Sequence, residues 1–127
     1  MTQQNEYAVA TKSGALDAVA AVPGSKSIAH RALICAALAR GDSTITGLPD
    51  GDDTQAMLQG LMLLGATISL DGADAHFLGS IDLDRTDAIT VDANLAGTTA
   101  RFLTAIGALR RGSITATGNE SLRSRPM

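Results

Sequence analysis

The sequence predicts a mixed α/β (α+β) fold turned inside out: βαβαββ units whose parallel helices are buried and whose sheets lie outside. Three observations predict it. Strand-like and helix-like stretches alternate along the chain, and the two longest helical runs are apolar on nearly every side. The strands, in contrast, mix polar with apolar residues, as in Ser43-Thr44-Ile45-Thr46 and Ser113-Ile114-Thr115-Ala116-Thr117. Helices apolar all round are buried ones, and alternating strands suit sheets with one face in water.

In chain order, Tyr7–Thr11 and Leu16–Val22 read as short strands with Gly14 between them. Pro23-Gly24 breaks that run, and Ser25 or Ser27 is placed to cap a helix over Ile28–Arg40 that Gly41 ends. A strand follows over Ser43–Leu48, and Pro49-Asp50-Gly51 turns the chain. Asp52 or Asp53 caps a second helix running to Leu64, where Gly65 closes it. Ala66–Leu70 and His76–Ser80 form a hairpin around Asp71-Gly72-Ala73-Asp74. After the polar connection Asp82–Asp87 comes a strand, Ala88–Val91. The pattern then recurs: Asn94–Arg101 is a small-residue turn into a helix over Thr98–Arg111, and Ser113–Thr117 is a strand. Arg101 matches Arg31, Leu103 matches Leu33, and with one gap Gly112, Thr115 and Gly118 match Gly41, Thr44 and Gly47. An offset of about 70 residues is longer than solenoid periods and indicates a duplicated unit. The expected division is a leading strand in 1–15 that pairs with a partner domain, a first unit in 16–86 and an incomplete second unit in 87–127. In that register Pro126 opens the second helix of the second unit. A chain stopping there is expected to be truncated, or one piece of a split chain.

Composition narrows the function. The 127 residues are 45% hydrophobic, enough for one core. A net charge of −3 argues against a general nucleic-acid or membrane-surface binder, and 2% aromatics (Tyr7, Phe77, Phe102) against a base-stacking platform. Cys35, the single cysteine, is expected to be a buried small hydrophobe. MTQQNEYAVA lacks the charge and apolar run of a signal peptide, and no run nears the roughly 18 apolar residues of a membrane span, so a cytoplasmic protein is expected. His30 and His76 lack ligand spacing, so no metal is expected.

The basic residues carry the functional signal. Five of the ten Lys and Arg (Lys26, Arg31, Arg101, Arg123 and Arg125) fall in the three helix-opening segments. A helix N-terminus carries roughly +0.5 of a unit charge, so cations are disfavoured there unless an anion is bound. Parallel helices would bring these segments to one surface and make a polyanion site. Asp52 or Asp53 is placed to orient Lys26.

PGSKSIAHRALICAALA, LAGTTARFL and LRSRPM resemble, in order and spacing, the N-terminal part of the 5-enolpyruvylshikimate-3-phosphate synthases, the 3-phosphoshikimate 1-carboxyvinyltransferases. Proteins of that family are more than three times as long. The resemblance implies two domains of three βαβαββ units each, with the first strands belonging to the opposite domain. It implies that Lys26 lies between both substrates, that Ser27 and Arg31 bind shikimate 3-phosphate, and that Gly97 lets phosphoenolpyruvate approach the backbone. Arg125 would hold the phosphate or carboxylate of phosphoenolpyruvate, with Thr98 and Arg101 also among the substrate-binding residues. Leu95 and Phe102 stand where many relatives have Asn and Pro. The implied chemistry is carboxyvinyl transfer from phosphoenolpyruvate to the 5-hydroxyl, in the pathway to aromatic amino acids, with no cofactor. The family's acid and base groups lie in the later domain, so no catalytic residue is assigned and this part alone is expected to be inactive. The related UDP-N-acetylglucosamine enolpyruvyl transferases are the nearest alternative, against which Lys26-Ser27 and His30-Arg31 speak; a non-catalytic anion-binding module or half of a split enzyme is another.

Overall fold

A computed structural model describes residues 8–11 and 13–126. Ser25 is the N-cap of α1 (Lys26–Leu38), accepting the backbone N–H groups of Ile28 and Ala29 at its carbonyl. The chain continues through β1 (Ser43–Ile45), α2 (Asp52–Leu63), β2 (Ile68–Asp71), β3 (Asp74–Phe77), β4 (Ile89–Asp92), α3 (Gly97–Gly107), β5 (Ile114–Thr117) and the short α4 (Glu120–Arg123). One sheet has the order β1-β3-β2, with β3 antiparallel to both neighbours, so α2 crosses over between two parallel strands. In the other, β4 and β5 pair in parallel and α3 is the crossover. A common spacing runs through these bounds: α3 begins 71 residues after α1, and β5 begins 71 after β1.

The core lies where the helices meet the inner faces of the sheets. Leu33, Met57, Leu61, Leu64, Phe77 and Leu103 are all fully buried there, and α2 lies between α1 and α3. Along β3, Ala75 and Phe77 point inward, while Thr44, Ser69, Thr90 and Thr115 on the other strands are exposed. At the far end, Arg110 is buried and donates to Asp87 at 2.9 Å, tying the 82–87 connection to the end of α3. The Arg85 side chain hydrogen-bonds the same carboxylate and holds it below the usual aspartate range.

Several expectations need correction. Ala8–Thr11 and Leu16–Val22 are not strands, and Tyr7 lies outside the described residues. Val9, Leu16, Val19 and Val22 are exposed. A strand needs a neighbour to take its backbone groups, and this segment has none among the described residues. The helices α1 and α3 are not buried on every side. α1 buries Ala29, His30, Leu33, Ala36 and Ala37, while Ile28 is 71% exposed and Cys35 is exposed. On α3, Ala105 is exposed, and beyond its end Ala108 is exposed and Leu109 is 61% exposed. Among the described residues α2 is the main helical neighbour of both α1 and α3, and it covers one face of each. Helix α1 also stops at Leu38, before Arg40, because Ala39 turns extended and the Ala37 carbonyl accepts the N–H of Ile81 at 2.8 Å. The hairpin turn is tighter than expected, with Gly72 at φ 57° beside Ala73. Asn119 caps α4 by accepting the Leu122 N–H.

Candidate functional site

The three long helices start on one surface. Lys26, first in α1, donates to Asp53 in the first turn of α2 at 2.6 Å. The carbonyl of Asp53 accepts the hydroxyl of Thr99, in the first turn of α3, at 3.4 Å. Arg31 folds back onto the Ser27 carbonyl at 2.7 Å, and its guanidinium lies 5.6 Å above the ring of Phe102. The segments that open α1, α2 and α3 are therefore joined by one ion pair, one hydrogen bond and one cation–π contact.

Their N-termini differ in charge. Helix α2 starts with Asp52 and Asp53, as the dipole prefers, although Gly51 is the N-cap and neither carboxylate caps it. Helices α1 and α3 have no acidic residue in the first turn. Ser25 makes no side-chain cap and Ala96 has no side chain able to make one, so the first N–H groups of both helices lack side-chain partners. Ser27 sits at the second position of α1 and is exposed.

The second basic group is built around Gly97. A Cβ added there would lie 3.9 Å from Arg125 Nη1 and 4.0 Å from Arg101 Nη1, so both guanidinium groups stand over the bare backbone. Arg101 reaches the Pro126 carbonyl and Arg125 the Ser121 hydroxyl, each at 3.4 Å. Among the described residues neither has a carboxylate within ion-pair distance. Thr98 is exposed beside them. The loop before Gly97 is shaped by Asn94, whose φ of 51° is the single positive value at a non-glycine residue among those described. Asp92 accepts the Asn94 N–H at 2.8 Å, and the Asn94 carbonyl accepts that of Asn119 at 3.1 Å. Leu95 stays half exposed and offers no polar contact. Arg123 is exposed on α4 and makes no such convergence.

Sequence reasoning missed the part played by His30. It is fully buried, and neither ring nitrogen has a hydrogen-bond partner. Its place one turn after Lys26, on the buried face, was the available signal. Burial lowers its pKa from 6.5, while Asp53 pulls it up and Lys26 and Arg31 push it down. The unfolded chain then binds more protons than the folded one, so His30 contributes stability that is present above about pH 6.5 and lost as pH falls through the lower folded value. Melting temperature is expected to drop on acidification in this window, and less steeply in His30→Asn. Equal slopes for the two chains in pH-series thermal melts would show that His30 does not set it.

These features define a mixed α/β chain that gathers basic side chains and uncapped N–H groups at converging helix N-termini. A family model described as EPSP synthase (3-phosphoshikimate 1-carboxyvinyltransferase) matches residues 10–127, and the chain belongs to that family. It is 46% identical over 111 residues to the 3-phosphoshikimate 1-carboxyvinyltransferase of Gloeobacter violaceus, covering 84% of this chain and 26% of the relative. With the Rhodopseudomonas palustris (strain TIE-1) protein of the same name it shares 42% over 123 residues, covering 93% of this chain and 27% of the other. The solved EPSP synthase of Acinetobacter baumannii superposes with a TM-score of 0.73 at 28% identity, over 84% of this chain and 24% of that one. The chain thus spans about a quarter of the length of the relatives it matches. No helix among the described residues is long and apolar enough to cross a membrane.

Proposed function

We propose that this chain is the N-terminal, substrate-binding part of an enzyme that transfers the carboxyvinyl group of phosphoenolpyruvate to the 5-hydroxyl of shikimate 3-phosphate. The observation that carries the reading is the convergence of Arg101 and Arg125 over Gly97, next to the Lys26 and Arg31 cluster, at two helix N-termini left without caps or acids. Guanidinium groups hold phosphate and carboxylate through paired N–H donors, and a glycine lets the ligand reach backbone N–H groups. Lys26 and Arg31 with Ser27 serve shikimate 3-phosphate. Gly97, Thr98, Arg101 and Arg125 serve phosphoenolpyruvate. Cations placed here stabilise charge as the tetrahedral adduct forms and phosphate leaves.

In this reading residues 16–86 form a first unit, with described elements α1, β1, α2, β2 and β3, and 87–127 an incomplete second. The exposed segment Leu16–Val22 and the apolar outer faces of α1 and α3 are covered by the remainder of a two-domain, inside-out enzyme in the cytoplasm. Acid–base groups come from that remainder, so the purified chain is expected to release no phosphate from the two substrates together. Turnover by a preparation free of host enzyme would overturn that expectation.

Shikimate 3-phosphate should still bind, weakly and less so at high salt. Arg31→Ala is expected to weaken it by roughly 10- to 100-fold, the loss of one charge-assisted contact. Arg111→Ala, at the opposite end of α3 and paired with Asp84, should leave it unchanged. Calorimetric titration giving equal losses for the two variants would refute the site.

A further inference from the structure

We infer that His30 is a proton-linked positioning residue beneath the anion site: when Lys26 and Arg31 take an anion, Asp53 is released and the buried imidazole takes up a proton. The inference rests on the anion-binding reading above and assigns that site a regulation by pH. A buried polar side chain is ordinarily satisfied, yet both nitrogens of His30 lack partners in a residue with no exposed surface. His30 follows Lys26 by four residues and so shares its helical face. On that face the Asp53 carboxylate is committed to Lys26 Nζ at 2.6 Å.

The charges around His30 come from its own helix and from α2. From its own helix Lys26 and Arg31 oppose its protonation, and from α2 Asp53 favours it. Strand β1 (Ser43–Ile45), also packed on α1, carries no titratable residue. Helix α3 touches α1 through Phe102 beneath Arg31, and its one charged residue, Arg101, is directed to the Pro126 carbonyl. An anion changes this balance in one direction. It offsets the two cations and draws Lys26 from Asp53, leaving a half-buried carboxylate whose charge favours protonation of an imidazole with unused nitrogens. The proton comes from solvent and is held by the imidazole, whose charged form Asp53 favours. Anion affinity therefore rises as pH falls through the bound-state titration of His30.

The test uses the whole chain uniformly isotopically labelled, so that lysine, arginine and histidine side chains are all read, and sodium sulfate as probe. Sulfate keeps its charge across about pH 5–8, the range in which histidine titrates, so a linked proton belongs to the protein. Chloride at matched ionic strength controls for screening. The expected result is a His30 titration midpoint raised by sulfate by about one unit, a tenfold gain in proton affinity. His76, hydrogen-bonded to Thr44 across the β1–β3 pair at 3.1 Å, should not move. In His30→Gln, sulfate should still bind near pH 8 but no longer tighten on acidification. Sulfate that perturbs the Lys26 and Arg31 signals while the His30 midpoint stays or falls overturns this inference and leaves the anion site standing. Sulfate that leaves those signals unmoved overturns both.

Discussion

Leu103→Ala is expected to destabilise the chain by roughly 3–5 kcal/mol, a large share of the 5–15 kcal/mol that holds a domain folded. Leu103 is fully buried between α3 and α2 and packs against Gly60, where a Cβ would collide with its Cδ1 and lie 3.0 Å from Val91 Cγ1. The bare surface of Gly60 is what lets the two helices approach. Gly60→Ala alone therefore carries an overpacking cost of about 1–3 kcal/mol, set against a helix-propensity gain of about 1 kcal/mol. In the Leu103→Ala background the same methyl enters vacated space. The double variant should be more stable than Leu103→Ala, although Gly60→Ala brings no gain in the original chain. Urea unfolding of the four chains checks this. Simple additivity would mean that α2 and α3 do not meet at these residues.

That contact also shows what could be read from the sequence. The turn residues at Gly51 and Gly72 marked where elements begin and end. The match of Arg31 to Arg101 marked two helix openings of like character 70 residues apart. What local pattern could not supply was the count of neighbours. Ile28, Cys35, Ala105 and Leu109 read as interior because each lies on a helix apolar all round, yet one neighbouring helix covers only one face. Leu16–Val22 has strand composition, but pairing is a property of the partner edge, not of the segment. In the site, the basic character of the helix openings was legible from charge against dipole. The partner of Lys26 was narrowed to two aspartates, of which the structure selects Asp53. His30 was hidden because a lone histidine on an apolar helix gives no sign of whether its nitrogens find partners.

Lys26→Gln separates a structural lysine from a ligand-binding one. In the free chain two effects nearly cancel. Its pair with Asp53 is partly exposed, 56% at Lys26 and 28% at Asp53, and such a pair contributes about 0–1 kcal/mol. A cation in the first turn of α1 opposes the helix dipole by about 0.3–1 kcal/mol. The melting temperature without ligand should therefore stay nearly unchanged. Shikimate 3-phosphate at about 100 times its dissociation constant should add about 2.7 kcal/mol to the original chain. Loss of a charge-assisted hydrogen bond of about 1.5–3 kcal/mol weakens binding by an order of magnitude or two, so at the same concentration the variant keeps only about 0.3–1.3 kcal/mol of that gain. Thermal melts of both chains, with and without ligand, read the difference directly. A variant already much less stable without ligand would make the lysine a structural tie between α1 and α2. One that gains as much from ligand as the original chain would remove Lys26 from the site.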